Sequence, residues 1–290
     1  MKNSSLRGKT ILITGAARGI GEAVARLAAA RRANVSLIGL EPQRLNNLAA
    51  ELGGHWAECD VTDQVALDAA VTSAVQTFGR LDAVVANAGI VNLGTVNTGP
   101  VEALTRTIDV NLNGVVRTAS AALPHLISSQ GYLLLISSAA AFSALPGLAA
   151  YCASKAGVEQ FGNVLRLEVA HLGVRVGTAH PIWIDTDLVR GFASDLPISY
   201  RRVRRKLPWP MSTELSVQEA ALALLRGIEK KKRRIFVPRS IGMLQALRSI
   251  VLSPFSDAII KYGTRGGTLI TEMETEARQL GRSFGGHSMG

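Results

Sequence analysis

The side chains best suited to chemistry are Tyr151 and Lys155, in the run Tyr151-Cys152-Ala153-Ser154-Lys155, with Ser138 upstream. In a helix, residues four apart share one face. A free phenol ionises near pH ~10, too high for acid–base work at neutral pH. A lysine ammonium a few ångströms away favours phenolate over phenol, so the spacing predicts a tyrosine tuned down toward working pH. Ser138 follows an apolar run, Leu133-Leu134-Leu135-Ile136-Ser137, that reads as a buried strand. A hydroxyl at a strand's carboxyl end, in an open α/β sheet, faces the crevice where ligands sit. The plain alternative is an exposed tyrosine beside a solvated lysine, because Y-x-x-x-K is common by chance. The elements around the pair decide between these.

Residues 10–14 read as a short apolar strand. Gly15-Ala16-Ala17-Arg18-Gly19-Ile20-Gly21 follows, then a helical period through Ala23, Val24, Leu27 and Ala28. Strand, glycine turn and helix form the context of a phosphate-cradling loop. Glycines let the backbone approach a pyrophosphate, and a helix N-terminus offers N–H groups and a positive dipole end. The spacing is G-x-x-x-G-x-G rather than G-x-G-x-x-G. A second strand is expected over 34–39 and a second helix over 42–52. The end of strand two meets the adenosine ribose in such sheets, and a carboxylate there suits NAD and repels a 2′-phosphate. Gly39 and Leu40 hold those spots here, the nearest acid is Glu41, and Arg18 could pair with a 2′-phosphate. The reading leans to NADP over NAD. The simpler account is a solvated Arg18 and a Glu41 that caps the next helix.

Strand three is expected over 56–61 with Asp60 at its end, a helix over 63–78, and strand four over 81–86. Asn87-Ala88-Gly89 then offers small residues that a cofactor ring could approach, or a plain turn. Pro100 opens a long helical stretch through His125 that carries Asn111. A lone asparagine within a helix is ordinarily a surface residue or one that bends it. Further on, a helix is expected over 151–171, strand six over 174–180, a helix over 217–229 and a last strand over 235–237. Alternating strands and helices imply one parallel sheet with helices on both faces, doubly wound through right-handed crossovers.

Composition agrees. The chain of 290 residues is 47% hydrophobic and 19% charged, a globular balance. No apolar run is long enough to span a bilayer and no secretory core opens the chain, so a cytoplasmic protein is expected. Cys59 and Cys152 read as two reduced thiols, and the scattered histidines suggest no metal site. The net charge of +10 is uneven: residues 191–290 hold 17 Lys and Arg against 8 Asp and Glu, and residues 1–190 hold 15 against 14.

Taken together, Thr14-Gly15-x-x-x-Gly19-x-Gly21, Asp60-Val61, Asn87-Ala88-Gly89, Asn111, Ser138 and Tyr151-x-x-x-Lys155 resemble the short-chain dehydrogenase/reductase family, over residues 8–240. The resemblance implies a Rossmann-type sheet of about seven strands and an NAD(P)-dependent interconversion of a carbonyl and an alcohol. It implies Tyr151 as general acid/base, Lys155 lowering its pKa and holding the nicotinamide ribose, and Ser138 binding the substrate oxygen. Asn111 would hold a water linking Lys155 to solvent. Asp60 and Val61 would meet the adenine, and Asn87, Ala88 and Gly89 the adjoining ribose. Gly15, Arg18, Gly19, Ile20 and Gly21 would hold the phosphates, and Pro181, Ile184 and Thr186 the nicotinamide end. The family usually has Pro-Gly after strand six. Here Pro181 is followed by Ile182, which adds bulk where backbone normally approaches the cofactor. Trp183 is read as a pocket wall or a core residue.

The family's substrate lid would fall at about 188–215, which holds Arg201, Arg202, Arg204, Arg205 and Lys206. Those cations could greet an acidic substrate or a phospholipid surface; a solvated helix face is the plainer reading. Lys230 to Arg234 read as cations that complement a helix C-terminus. The organisation expected is a Rossmann-type domain over 1–240 and a C-terminal helical extension and tail over 241–290. The apolar stretch 241–252 could cover the pocket, join a subunit interface or rest on a membrane; the first two are favoured. Residues 264–290, rich in glycine and charge, read as a partly loose tail. The expectation is an oxidoreductase acting on a hydrophobic, lipid-like alcohol or ketone, a homodimer or homotetramer through its long central helices. A cofactor-sensing binding protein without catalysis is the alternative, and a nucleic-acid binder is disfavoured for lack of a reading motif.

Overall fold

In the computed structural model, residues 6–195, 200–202, 205, 207, 209–254, 256–258 and 267–279 are described. Strand β1 (Thr10–Thr14) is buried along its whole length. A central parallel strand has helices on both faces, which is why its sequence is a continuous apolar run. From it the chain alternates through α1 (Gly19–Ala29), β2 (Asn34–Gly39), α2 (Pro42–Leu52), β3 (His55–Glu58), α3 (Gln64–Phe78) and β4 (Ala83–Ala86). Next come α4 (Val101–Ile108), a π-helical turn (Asp109–Asn113), α5 (Gly114–Ser129), β5 (Tyr132–Ile136), a 3-10 turn (Ala139–Phe142), α6 (Ala149–Glu168) and β6 (Arg175–Pro181). The chain closes with β7 (Trp183–Ile184), α7 (Asp187–Asp195), β8 (Glu214–Leu215), α8 (Val217–Glu229), β9 (Arg234–Val237), α9 (Ile241–Ala246), α10 (Arg248–Val251) and α11 (Thr268–Gln279).

Seven strands pair in the order β3-β2-β1-β4-β5-β6-β9, every neighbour parallel. Alternate residues of the same strands serve the two faces. Ile11, Ile13, Val85 and Leu134 pack with α1, α2 and α8 on one side. Leu12, Val84, Leu133 and Leu135 pack with α3, α5 and α6 on the other. This is the expected doubly wound α/β sheet. The strand order reverses between β1 and β4, and the crevice at that reversal is the place for a ligand.

Two expectations change in detail. Strand three stops at Glu58, because Asp60 turns back to accept the Thr62 N–H at 2.9 Å. The long helix expected over 100–125 is interrupted by the π-helical turn that contains Asn111. A π-bulge inserts an extra residue into the helical ladder and is frequent at functional sites.

The amino ends of β1 and β4 are joined through Asp82, which is 8% exposed. Its carboxylate accepts from Lys9 Nζ (2.9 Å), Thr10 N (3.0 Å) and Arg80 Nε (2.7 Å). Burial alone would raise this carboxyl's pKa; the hydrogen bonds from Arg80, Lys9 and the Thr10 N–H outweigh that, and it is held below the ordinary value. Its stabilisation is therefore full above the unfolded pKa and lost as pH falls through the folded one. Asp82→Ala should cost about 2–3 kcal/mol, read as a lowered midpoint in urea at neutral pH. The gap to wild type should narrow as pH falls below about 4. An unchanged midpoint at neutral pH would reject the strand-joining role.

Candidate active site

The cleft begins where β1 runs into the glycine turn. Gly15 and Gly19 have φ of 64° and 58°, a backbone region that suits glycine. A Cβ on Gly21 would stand 2.3 Å from Gly15 O and 2.8 Å from Asn87 Nδ2, so the turn can close only without side chains. Thr14 Oγ1 accepts the N–H groups of Asn87 (3.0 Å) and Ala88 (3.1 Å). Asn87 Nδ2 donates to Thr14 O (2.9 Å) and Gly15 O (3.2 Å). The Asn87 side chain thus locks the turn to the end of β4. Thr14, which the sequence reading places in the glycine motif without a role, is the other half of that lock.

Tyr151 and Lys155 share one face of α6, with Lys155 Nζ 5.6 Å from the Tyr151 ring centroid. Lys155 is 4% exposed and donates to Ile136 O at 3.0 Å. Ser138, at the carboxyl end of β5, accepts from Ala140 N (3.1 Å), donates to Pro181 O (3.4 Å) and is hydrogen-bonded to Tyr151. Asn111 is fully buried in the π-helical turn, neither exposed nor idle. Its Oδ1 accepts from Ile90 N (2.8 Å), and its Nδ2 donates to Ile90 O (2.9 Å) and Ser154 Oγ (3.2 Å). A Cβ on Gly89 would lie 3.1 Å from Asn111 Oδ1 and 3.5 Å from Lys155 Nζ, so this glycine lets the β4 loop close on both.

The expected electrostatics are corrected here. Burial pushes the Tyr151 phenol above its ordinary pKa, and the Ser138 hydrogen bond pulls it back only in part. Burial also brings the Lys155 ammonium down to about 8. Both groups are disfavoured as ions because both have lost water.

These residues line a single cavity of about 820 Å³. At one end are Gly15, Arg18, Gly19, Ile20, Leu40, Glu41, Asp60 and Val61; in the middle, Asn87, Ala88, Gly89, Ser138, Tyr151, Lys155, Pro181, Ile182, Ile184 and Thr186. Gly21 and Asn111 support the wall rather than line it. Arg18 is ion-paired as well as partly exposed: its Nε donates to Glu41 Oε1 at 2.8 Å and its Nη2 to Glu41 Oε2. Asp60 accepts from Arg106 of α4 at 2.7 Å. Arg106 also lines the cavity. Nothing in its local sequence marks it, since the pair spans 46 residues of chain.

At the other end the walls are apolar, with Leu93, Leu145, Leu148 and Trp183. Trp183 Nε1 donates to Met211 O at 3.0 Å. Ile182 faces the cavity from a cluster with Phe142, Phe236 and Ile241. The expected loose tail is corrected over 268–279: this is helix α11, whose Met273 is 3% exposed and packs with Val91, Leu93 and Leu148 beside Tyr151. Thr95 Oγ1 donates to Glu274 at 2.6 Å, and Arg202 of the lid region pairs with Glu272. Arg204 and Lys206 of the lid, and residues 280–290 of the tail, lie outside the described residues. Among the described residues no group of His, Cys, Asp or Glu is arranged to hold a metal ion, and no helix is long and apolar enough to cross a membrane.

Comparison with known proteins gives a consistent answer. The family model for short chain dehydrogenases matches residues 9–197. The oxidoreductase UcpA of Salmonella typhimurium is 37% identical over 195 residues, 65% of this chain and 74% of that protein. An uncharacterised oxidoreductase of Staphylococcus aureus is 35% identical over 191 residues, 64% of this chain and 83% of its own. The crystal structure of gox2181 superposes with a TM-score of 0.74 at 26% identity, covering 82% of this chain and 97% of that one. A levodione reductase structure shares the fold at a TM-score of 0.74 and 22% identity, covering 83% and 99%. The match over most of the sequence, together with the sheet order, shows that this chain belongs to the short-chain dehydrogenase family of oxidoreductases.

Proposed function

We propose that this protein interconverts a carbonyl and a secondary alcohol on an apolar small molecule, using NAD(P) as cofactor and Tyr151 as general acid/base. One observation carries the reading: Ser138, Tyr151 and Lys155 open into the same cavity as the glycine turn. That cavity fits a dinucleotide. A Cβ at Gly19 would meet only the Thr186 side chain, at 3.5 Å, so the turn's backbone is open to the cleft. Gly15, Arg18, Gly19 and Ile20 would hold the phosphates at the start of α1. Asp60, Val61 and Asn87 to Gly89 would border the adenosine, and Lys155, Pro181, Ile184 and Thr186 the nicotinamide end. The bound cofactor supplies or accepts the hydride.

The protein's part is proton transfer and charge stabilisation. In carbonyl reduction, Tyr151 Oη–H gives its proton to the carbonyl oxygen. The Ser138 hydroxyl, held to Pro181 O by a long 3.4 Å contact, is free to redirect its hydrogen to the same oxygen as charge develops. Lys155 as ammonium stabilises the phenolate left behind, and Asn111, bonded to Ser154 next to Lys155 on α6, steadies that helix against the Ile90 loop. The apolar walls at Leu93, Leu145 and Leu148 suit a hydrophobic substrate. On the outer faces of α5 and α6, Val116, Val164 and Leu167 are exposed, which supports a homodimer or homotetramer through these helices.

For the adenosine end we favour NADP narrowly. Arg18 lines the cavity, but binding a 2′-phosphate takes it from Glu41 and leaves a carboxylate beside the phosphate.

Three outcomes test this reading. Tyr151→Phe should lower turnover by about 10²–10⁴-fold while NADPH still quenches protein fluorescence; near-normal turnover on a ketone panel would reject the role. In carbonyl reduction both Tyr151 and Lys155 act from their protonated forms. Hence kcat/KM should fall as pH rises through about 8, where Lys155 loses its charge, and a profile level to pH ~10 would exclude a charged Lys155. NADPH and NADH affinities should lie within about tenfold of each other, a difference of about 1.4 kcal/mol. Glu41→Gln should widen the preference for NADPH and Arg18→Ala should reverse it; no response in either titration would remove the pair from cofactor selection.

A further inference from the structure

Helices α9 and α10 turn an apolar stripe away from the protein. Inward, Ile241 is fully buried and Leu244 packs with Phe142, Ile182 and Phe236. Outward, Met243, Leu247 and Ile250 are 54%, 47% and 56% exposed, and Leu252 is 46% exposed. Steps of four and three residues put the first three on one helical face. Leu247 N donates to Met243 O and Val251 N to Leu247 O, both at 3.0 Å, so the stripe continues across the junction of the two helices. A single exposed leucine is unremarkable, whereas a run of large apolar side chains held outward marks a contact surface.

Charge selects the partner. Between Glu229 and Asp257 the chain has seven Lys and Arg and no acid; between Asp195 and Glu214 it has five and none. Arg201, Arg205 and Arg239 are exposed, and Arg248, its side chain 48% exposed, pairs with the buried Glu159 at 3.8 Å. The two stretches are linked through one strand: Tyr200 meets the edge of Trp183, and the adjoining Ile182 packs on α9. A second copy docking through the same face would set these arginines against their own like charge. Anionic lipid headgroups meet the arginines while acyl chains meet the stripe.

We propose that the α9–α10 stripe and its flanking arginines dock this protein on the surface of an anionic lipid bilayer. The 3-10 turn Ala139–Phe142 lies between α9 and the cavity, so the docked face is the one beside the substrate end. The proposal is independent of the reaction assigned above. Its test is co-sedimentation of the full-length protein with vesicles of phosphatidylcholine, with and without phosphatidylglycerol. Binding should require the anionic lipid and weaken with salt. Met243→Glu/Leu247→Glu/Ile250→Glu, at positions where folding tolerates charge, should weaken it about tenfold or more. Arg239→Glu should weaken it with the stripe intact, and circular dichroism melting checks both variants for folding. Equal or absent binding to the two vesicle types would overturn the proposal, as would full binding by the triple variant. A wild-type dimer that the triple variant dissociates, with no vesicle binding, would overturn it too and make the stripe a subunit interface.

Discussion

The hydrogen bonds between Thr14 and Asn87 are the constraint on which the cleft depends. They join segments 73 residues apart in the chain, at the place where the strand order reverses. Helices on either side of that reversal leave in opposite directions, so nothing else covers the strand ends there. The glycine turn would be free to lift from β4 without the Asn87 amide holding Thr14 O and Gly15 O. Gly15 and Gly21 lack side chains for the same reason, since a Cβ on either would meet the Asn87–Ala88 backbone, its amide or the turn itself. Asp82 fixes the opposite ends of the same two strands.

Around Tyr151 and Lys155, burial and attraction compete. A phenolate and an ammonium a few ångströms apart attract by only about 3–4 kcal/mol at an effective dielectric of about 20. Removing an ion from water costs several kcal/mol for each group. Burial therefore wins, which is why the phenol sits above its ordinary range and the ammonium below. Lys155 is thereby poised close to its change of charge while the phenol is held protonated, and a small added charge or dipole in the cleft can shift either group. The ring of buried polar partners, from Ser138 to Asn111, keeps the geometry fixed while the charge changes.

Much of the fold was legible because its causes are local. Apolar runs of strand length, glycine at a left-handed turn, helical periods and their order in the chain all act over a few residues. They read directly as β1, the turn and α1, and as Tyr151 and Lys155 on one face. The π-helical turn at Asn111 was not legible, because it is stabilised from outside the helix by Ile90 and Ser154. The segment 268–279 read as loose for the same reason: its glycine-rich and charged surroundings hide one buried methionine, and the wall that receives it comes from residues 91–148.

What the sequence by itself determined, then, is the doubly wound parallel sheet, the glycine turn between β1 and α1, and the placing of Tyr151 and Lys155 on one helical face. Spacing along one strand or helix sets these. Tertiary structure alone decided that Arg18 is held by Glu41 and Asp60 by Arg106, that burial raises the phenol's pKa, and that α11 returns to pack behind the cleft's apolar wall. Each of these depends on which distant groups share a volume and how much water is left between them, and spacing along the chain carries no information about either.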